Sequence, residues 1–146
     1  MMRCLSVTQP WASLIAAGIK TIETRSWYTS YRGPLAIHAT KKPYAGPWTR
    51  ELMAATAETC GGITGYPKKL PLGAVVAIAR LTDVTDAERL ARLELGQEEI
   101  ALGDYGPGRF AWILRDVVAI DPSPAVGHLG LWSWDGPQGP RLWVVA

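Results

Sequence analysis

The chain has 146 residues, 48% of them hydrophobic, and carries a formal charge of +2. That supplies apolar material for one well-buried core and leaves little length for a second domain. No apolar run approaches the roughly 18–20 residues needed to cross a bilayer, and the opening residues lack the long apolar core and cleavage site of a secretion signal, so the sequence reads as a soluble, cytoplasmic chain with no membrane partner.

In chain order, Cys4-Leu5-Ser6-Val7 alternates weakly, as a short first strand does. Thr8-Gln9-Pro10 opens a helix, with Thr8 or Gln9 at the boundary and Pro10 in the first turn, where its missing N–H costs nothing. Trp11, Leu14, Ile15 and Gly18 recur at helical spacing, and Gly18 suits the left-handed cap that ends a helix. Thr21 to Trp27 alternates again, with Ile22 toward the core and Glu23 and Arg25 on the opposite face. Tyr31-Arg32-Gly33-Pro34 is a turn, Leu35 to Ala39 a third strand, and Lys41-Lys42-Pro43 its end. Residues 47–59 predict a second helix, followed by Gly61-Gly62.

Ala74 to Ala79 is a near-continuous apolar run, the pattern of a buried strand. Residues 83–104 hold seven acids and two arginines; they predict a helix near 86–94 and a shorter one near 97–101, together a solvated acidic surface. Phe110 to Ile120 is another strand, ended by Asp121-Pro122-Ser123-Pro124. Gly127 to Trp134 reads as a loop, and Arg141 to Val145 as a terminal strand. Several strands with two to four helices argue for an α+β domain curled into a small barrel.

The charge is unevenly placed. Residues 1–50 hold seven basic residues against the single acid Glu23, a net of +6, while the remaining 96 hold eight basic and twelve acidic residues, a net of −4. A basic half turned toward a polyanion suits nucleic-acid binding, although folding can also intermix these charges. The two cysteines, Cys4 and Cys60, read as reduced thiols. With His38 and His128 they show no metal-ligand spacing, so neither metal nor cofactor is expected.

The segment Gly18-Ile19-Lys20-Thr21-Ile22-Glu23-Thr24-Arg25 concentrates charge directly after an apolar helix. Lys20 is a point charge suited to a phosphate or carbonyl oxygen. Arg25 is a planar fork for two acceptors. Glu23 can accept from a base amine or orient its basic neighbours; equally, the three can be an ordinary surface ion-pair cluster. In an ideal strand Lys20 has the parity of Ile22, so a shared lining with Glu23 and Arg25 requires a bend between Gly18 and Thr21.

Leu5-Ser6-x-x-Gln9-Pro10-Trp11-Ala12 followed by Gly18-x-Lys20-Thr21-x-Glu23-x-Arg25 resembles the ASCH (activating signal cointegrator homology) family. Tyr31-Arg32-Gly33-Pro34-Leu35-x-Ile37-His38-Ala39, Gly73-x-Val75-Val76, Gly106-Pro107-Gly108-Arg109-Phe110-Ala111-Trp112 and Gly127-x-Leu129-Gly130-Leu131-Trp132 continue the resemblance over residues 3–134. Residues 135–146 are left as an extension packing as a strand. The resemblance implies a PUA-like β-barrel whose cleft, beside the first helix, is lined by Lys20, Glu23 and Arg25 and seats a base or nucleotide of RNA or another nucleic acid. A monomer is expected.

Base recognition needs fixed donors and acceptors for the base edge and a π surface for its face. The chain has seven tryptophans. Trp11 lies on the apolar helix face and Trp112 within a strand, which favour packing; Trp27 and Trp132 are the better stacking candidates. Gln9 can read a base edge or cap the helix. His38, in an apolar strand, reads as a structural histidine or a ligand contact. Lys41 and Lys42 are candidate phosphate contacts or simply exposed lysines, and Arg32 is a candidate nucleic-acid contact. Two enzymatic alternatives stay open. Small ASCH proteins similar to amidohydrolases of N4-acetylcytidine-type nucleosides use lysine, threonine and glutamate; here the set would be Lys20, Glu23 and Thr24, although Glu23 stands where those enzymes carry the threonine. A small ribonuclease would draw on Lys20, Glu23, Arg25 and His38. A protein-interaction module is the remaining reading.

Overall fold

A computed structural model of the chain describes residues 1–59 and 70–137. In order, the elements are β1 (Met2–Val7), α1 (Trp11–Ala16), β2 (Ile22–Arg25), β3 (Gly33–Ala39), α2 (Arg50–Thr59), β4 (Ala74–Asp86), α3 (Ala87–Leu93), α4 (Gln97–Ala101), β5 (Phe110–Pro124) and β6 (Leu131–Trp134). The strands form one sheet in the order β2-β5-β4-β3-β1-β6. The β1–β3 pair is parallel and the other pairs are antiparallel.

The fold is α+β, as expected, but the hydrogen-bond ladder does not close into a barrel among the described residues. It is an open sheet that curls. The β4–β5 ladder shifts register three times, between Val75 and Ala77, Ile78 and Arg80, and Leu81 and Asp83. Each irregularity bends and further twists the strands. At the middle one β5 carries the extra residue, and Asp116 there takes a positive φ of 52°. The curl is deep enough that Arg25 Nη1 on edge strand β2 donates to the Ser6 carbonyl on β1, at 3.3 Å, although three strands separate them in the sheet.

Alternation sets the two faces. On β1, Leu5 and Val7 enter the main core with Leu35 and Ile37 of β3, Leu81 and Val84 of β4, and Trp112 and Leu114 of β5. Cys4 points to the other face, in a smaller cluster with Ala36, Val75 and Trp134. Ala12 and Ile15 bring α1 into the main core, while its Leu14 packs with Leu52 of α2 and Leu102 beyond α4. Cys4 is fully buried, and burial pushes its thiol up to about 12. Cys60 and Gly61-Gly62 lie outside the described residues, as does the predicted strand Arg141–Val145.

Both long strands extend past their predicted ends. β4 continues from Ala79 through a polar stretch to Asp86, because the buried Leu81 and Val84 keep it anchored while Arg80, Thr82 and Asp83 face out. β5 runs through the predicted stop to Pro124, with Ser123 opposite Val75 and Pro124 opposite Ala74. Proline is tolerated where a bulged strand needs no ladder donor. The predicted loop Gly127–Trp134 contains an edge strand, β6, paired antiparallel to β1. Trp112 is wholly buried at the centre of the core and packs edge-on against Trp27, ring centroids 4.8 Å apart. Trp112→Ala is expected to destabilise the protein by about 3–5 kcal/mol, the range for emptying a large aromatic site; urea denaturation measures it as a lower midpoint.

Candidate functional site

The helix at the site is capped at both ends by the residues the motif supplies. At its start, the Gln9 side-chain oxygen accepts from Ser13 N–H at 2.9 Å, and its amide donates to Ser13 Oγ at 2.7 Å and to the Pro71 carbonyl at 2.8 Å. Gln9 is therefore buried and committed to the helix, not presented to a ligand. At its end, Gly18 adopts φ +77°. Gly18 N–H donates to the Ile15 carbonyl and Ile19 N–H to the Leu14 carbonyl, both at 3.0 Å. Ile19 packs against Leu14, completing a Schellman turn. Lys20 N–H also donates to the Leu14 carbonyl, which turns the Lys20 side chain inward before β2 begins.

This turn supplies the expected bend, and it carries Lys20 further than the sequence suggests. Lys20 is fully buried. Its ammonium has no hydrogen-bond partner among the described residues and forms an ion pair with Glu99 of α4 at 3.8 Å. Burial lowers its pKa below the ordinary lysine value, against the upward pull of Glu23 and Glu99. Glu99 also accepts from the Tyr105 hydroxyl at 3.3 Å, and that phenol's pKa is raised, first by burial and then by Glu99's charge.

Beside this buried cluster lies a cleft of about 410 Å³, between the start of α1, β2 and the turn after α4. Trp11, Tyr44, Glu23, Arg25, Asp104 and Arg109 line it. Trp11 donates its indole N–H to the Leu102 carbonyl at 2.8 Å and meets Tyr44 edge-on at 4.7 Å. Glu23 and Arg25 share one face of β2 and pair at 3.1 Å. Arg109 donates through Nη2 to the Thr24 carbonyl at 3.1 Å, and its buried Nε, with no hydrogen-bond partner among the described residues, forms an ion pair with Asp104 at 3.6 Å. Lys20 backs the cleft instead of lining it. Gly103 stands between: a Cβ there would lie 3.2 Å from Lys20 Nζ.

The remaining candidates go elsewhere. Trp27 packs on Trp112, accepts the Trp112 indole N–H on its carbonyl at 3.4 Å, and lies under the Arg25 guanidinium at 6.0 Å. Arg32 donates to the Thr29 and Tyr31 carbonyls and pairs with exposed Asp83. His38, Lys41 and the Ser6 hydroxyl line a second, larger hollow of about 1100 Å³, and Trp132 adjoins it through Ser6. Ser6 and His38 are register partners on β1 and β3, with the parity opposite to Leu5 and Val7. The hollow thus lies on the other face of the sheet.

Two enzymatic constellations fail to assemble. Thr24 Oγ1 accepts from Asp104 N–H at 3.0 Å, and Lys20 Nζ has no hydroxyl partner among the described residues, so Lys20 and Thr24 do not form a hydrogen-bonded pair. His38 and Glu23 sit on opposite faces and cannot act as a nuclease acid–base pair. Tyr44, Asp104 and Arg109 were not singled out for the cleft from the sequence. Tyr44 and Asp104 lie in irregular segments with no periodic signal, and Arg109 reads as part of the Gly106-Pro107-Gly108 turn.

The ASCH domain profile matches residues 5–123, most of the chain. The chain belongs to the ASCH domain family. Human activating signal cointegrator 1 is 44% identical over 80 residues, and the Mus musculus protein of the same name 42%; the match covers 55% of this chain but 14% of either relative. This ASCH chain therefore aligns with about a seventh of those proteins. Among solved structures, a tyrosine-to-phenylalanine variant of the ASCH protein from Zymomonas mobilis superposes with a TM-score of 0.50 at 21% identity, covering 84% of this chain and 74% of that one, which speaks for the fold alone. No helix among the described residues is long and apolar enough to cross a membrane.

His38 makes this ASCH fold sensitive to acid. The Ala125 carbonyl, 2.8 Å away, can only accept, so Nε2 carries the proton and Nδ1 accepts from the Ser6 hydroxyl at 3.1 Å. Burial lowers the His38 pKa below 6.5, with the Ala125 bond opposing and nearby His128 assisting. The unfolded chain binds this proton more readily than the fold, so stability falls as pH drops from 6.5 toward the lower folded value. Urea midpoints across that window should decline in the parent protein and decline less steeply in His38→Gln.

Proposed function

We propose that this ASCH chain, over residues 3–134, binds single-stranded nucleic acid, RNA first of all, and seats one base in the cleft between Trp11 and the Glu23–Arg25 pair. The family's association with nucleic-acid binding supports the class of ligand. The observation that carries the finer reading is the composition of that one cleft. It offers carboxylate acceptors on Glu23 and Asp104, guanidinium donors on Arg25 and Arg109, and the aromatic side chains of Trp11 and Tyr44. A base has a π-face and an edge of alternating donors and acceptors, and those are the complements it requires. A simple phosphate would be poorly served, because Glu23 and Asp104 offset the charges of Arg25 and Arg109.

In this reading Glu23 accepts from an exocyclic amine or ring N–H, Arg25 and Arg109 donate to carbonyl oxygens, and Lys20, paired with Glu99 behind Gly103, supports the wall of the cleft. The ligand's backbone remains outside the cleft. No step in this account requires turnover.

The test is binding of a short single-stranded RNA and of free nucleosides to the intact protein. Trp11→Leu is expected to weaken RNA binding by about tenfold, within the ~1–3 kcal/mol of one stacked base. Glu23→Gln should shift preference among the four nucleosides, since it exchanges an acceptor for an amide, while circular dichroism stays unchanged. Retention of RNA with equal affinity in both variants would remove the cleft from the account, and failure of the parent to retain RNA at low salt would remove the ligand.

A further inference from the structure

Nucleic-acid binding draws most of its affinity from phosphate neutralisation, and the cleft is badly equipped for that. Its Arg25 pairs with Glu23, its Arg109 with Asp104, and the Lys20 behind it with Glu99. The basic excess of the first fifty residues has to act elsewhere. Of its seven cations, Lys20, Arg25 and Arg32 are in ion pairs with acids. The other four, Arg3, Lys41, Lys42 and Arg50, are exposed and pair with no acid among the described residues, and of these Lys41 and Lys42 line a hollow.

Both lysines line the larger hollow, whose described lining contains His38 and His128 and no carboxylate. Lys41 passes beside Gly73 (φ +63°), where an added Cβ would meet the Lys41 stem at 3.8–3.9 Å. Next to the two ammonium groups the chain exposes apolar side chains that nothing in the described structure covers: Val126 is 80% exposed and Leu129 98%. Two cations beside an apolar strip match a nucleic-acid strand, which presents phosphates next to sugar and base faces.

Although the hollow and the cleft lie on opposite faces, both reach the same end of the sheet. β1 and β3 run parallel, so their C-terminal ends emerge at the same edge of the sheet. Val7 and Thr8, at the end of β1, line the cleft, whereas Thr40, Lys41 and Lys42, directly after β3, line the hollow. Thr40 N–H donates to the Val7 carbonyl at 3.1 Å and ties the two ends together.

We infer that the Lys41–Lys42 hollow is a second contact for the same nucleic-acid strand, taking its backbone phosphates on the two lysines and its sugar or base faces on Val126 and Leu129. The inference rests on the base-seating reading of the cleft, and one set of measurements separates the two. In Lys41→Gln/Lys42→Gln, affinity for a short single-stranded RNA should fall at least tenfold at low salt. The slope of log affinity against log salt should flatten by about 1.4, two phosphates at ~0.7 each. Leu129→Asp should weaken RNA binding as well, without loss of thermal stability. Free nucleoside binding should be unchanged in all of these variants. Unchanged RNA affinity and salt slope, with nucleoside still bound, would overturn the hollow and leave the cleft standing. Loss of RNA in the lysine variants, with Trp11→Leu and Glu23→Gln silent, would do the reverse. An acidic peptide retained in place of RNA would assign the hollow to a protein partner and overturn the inference.

Discussion

The curl of the β4–β5 hairpin is the constraint on which the rest of the molecule rests. A flat six-stranded sheet would hold β2 and β1 far apart, with β5, β4 and β3 between them. Three register shifts in a single ladder bend it until both ends close on a shared apolar interior built from β1, β3, β4, β5 and α1. Only then does Arg25 reach the Ser6 carbonyl, and only then do the motif residues of the first helix and second strand meet the turn that follows α4. The cleft is a by-product of the curvature. Its walls come from segments that are distant in sequence, and no short peptide cut from this chain would contain it.

Lys20 is the costly element inside that arrangement. A buried polar group without a hydrogen bond forfeits on the order of 1–3 kcal/mol, and a charged ammonium more. The acids Glu23 and Glu99 counter the cost, and their pull on the lysine opposes the effect of burial. The same cluster explains why the acidic arm is not merely a solvated surface. Asp86 caps α3 by accepting from Arg89 N–H, while Glu99 turns inward to meet Lys20 and Tyr105. An arm that supplies a half-buried counter-ion to a buried lysine is held against the body by it, and that in turn fixes Gly103 and Asp104 at the rim of the cleft.

Much of the local structure was legible in the sequence because it is governed by local rules. The short helix 97–101 and the strand Leu35–Ala39 follow from periodicity and from turn residues on either side. Glu23 and Arg25 share a face because strand parity demands it. What escaped depends on partners far along the chain. β5 runs past Asp121-Pro122-Ser123-Pro124 because Ala74 and Val75 pair with its end, overriding two prolines that locally signal a stop. Trp132 belongs to a strand because β1 offers it an edge, although Gly127 and Gly130 make the segment look like a loop. Lys20 appears exposed by composition and is buried by a Schellman turn whose geometry involves Leu14 and Ile19 as much as Gly18. The grouping of His38 and Lys41 with Glu23 and Arg25 could not be settled by reading along the chain, since strand parity assigns faces within a strand but not which face curls inward.

Ser6 shows how closely the two faces are joined. Its carbonyl accepts from Arg25 on the cleft side, while its hydroxyl accepts the Trp132 indole N–H at 3.1 Å and donates to His38 on the hollow side. His38 in turn donates to the Ala125 carbonyl, and the His128 carbonyl, 3.4 Å from Ser6 Oγ, is a second acceptor for the Ser6 proton. Gly127 is packed over this series so closely that a Cβ would fall 2.5 Å from His38 Cε1 and 2.8 Å from Ser6 Oγ. A fully satisfied, tightly covered network of this kind is rigid. It holds the segment bearing Val126 and Leu129 in fixed relation to the strand whose carbonyl positions Arg25. The two proposed recognition surfaces lie back to back on one strand, and such a joint serves that proposal, because a ligand crossing between them would bind weakly to surfaces that moved independently.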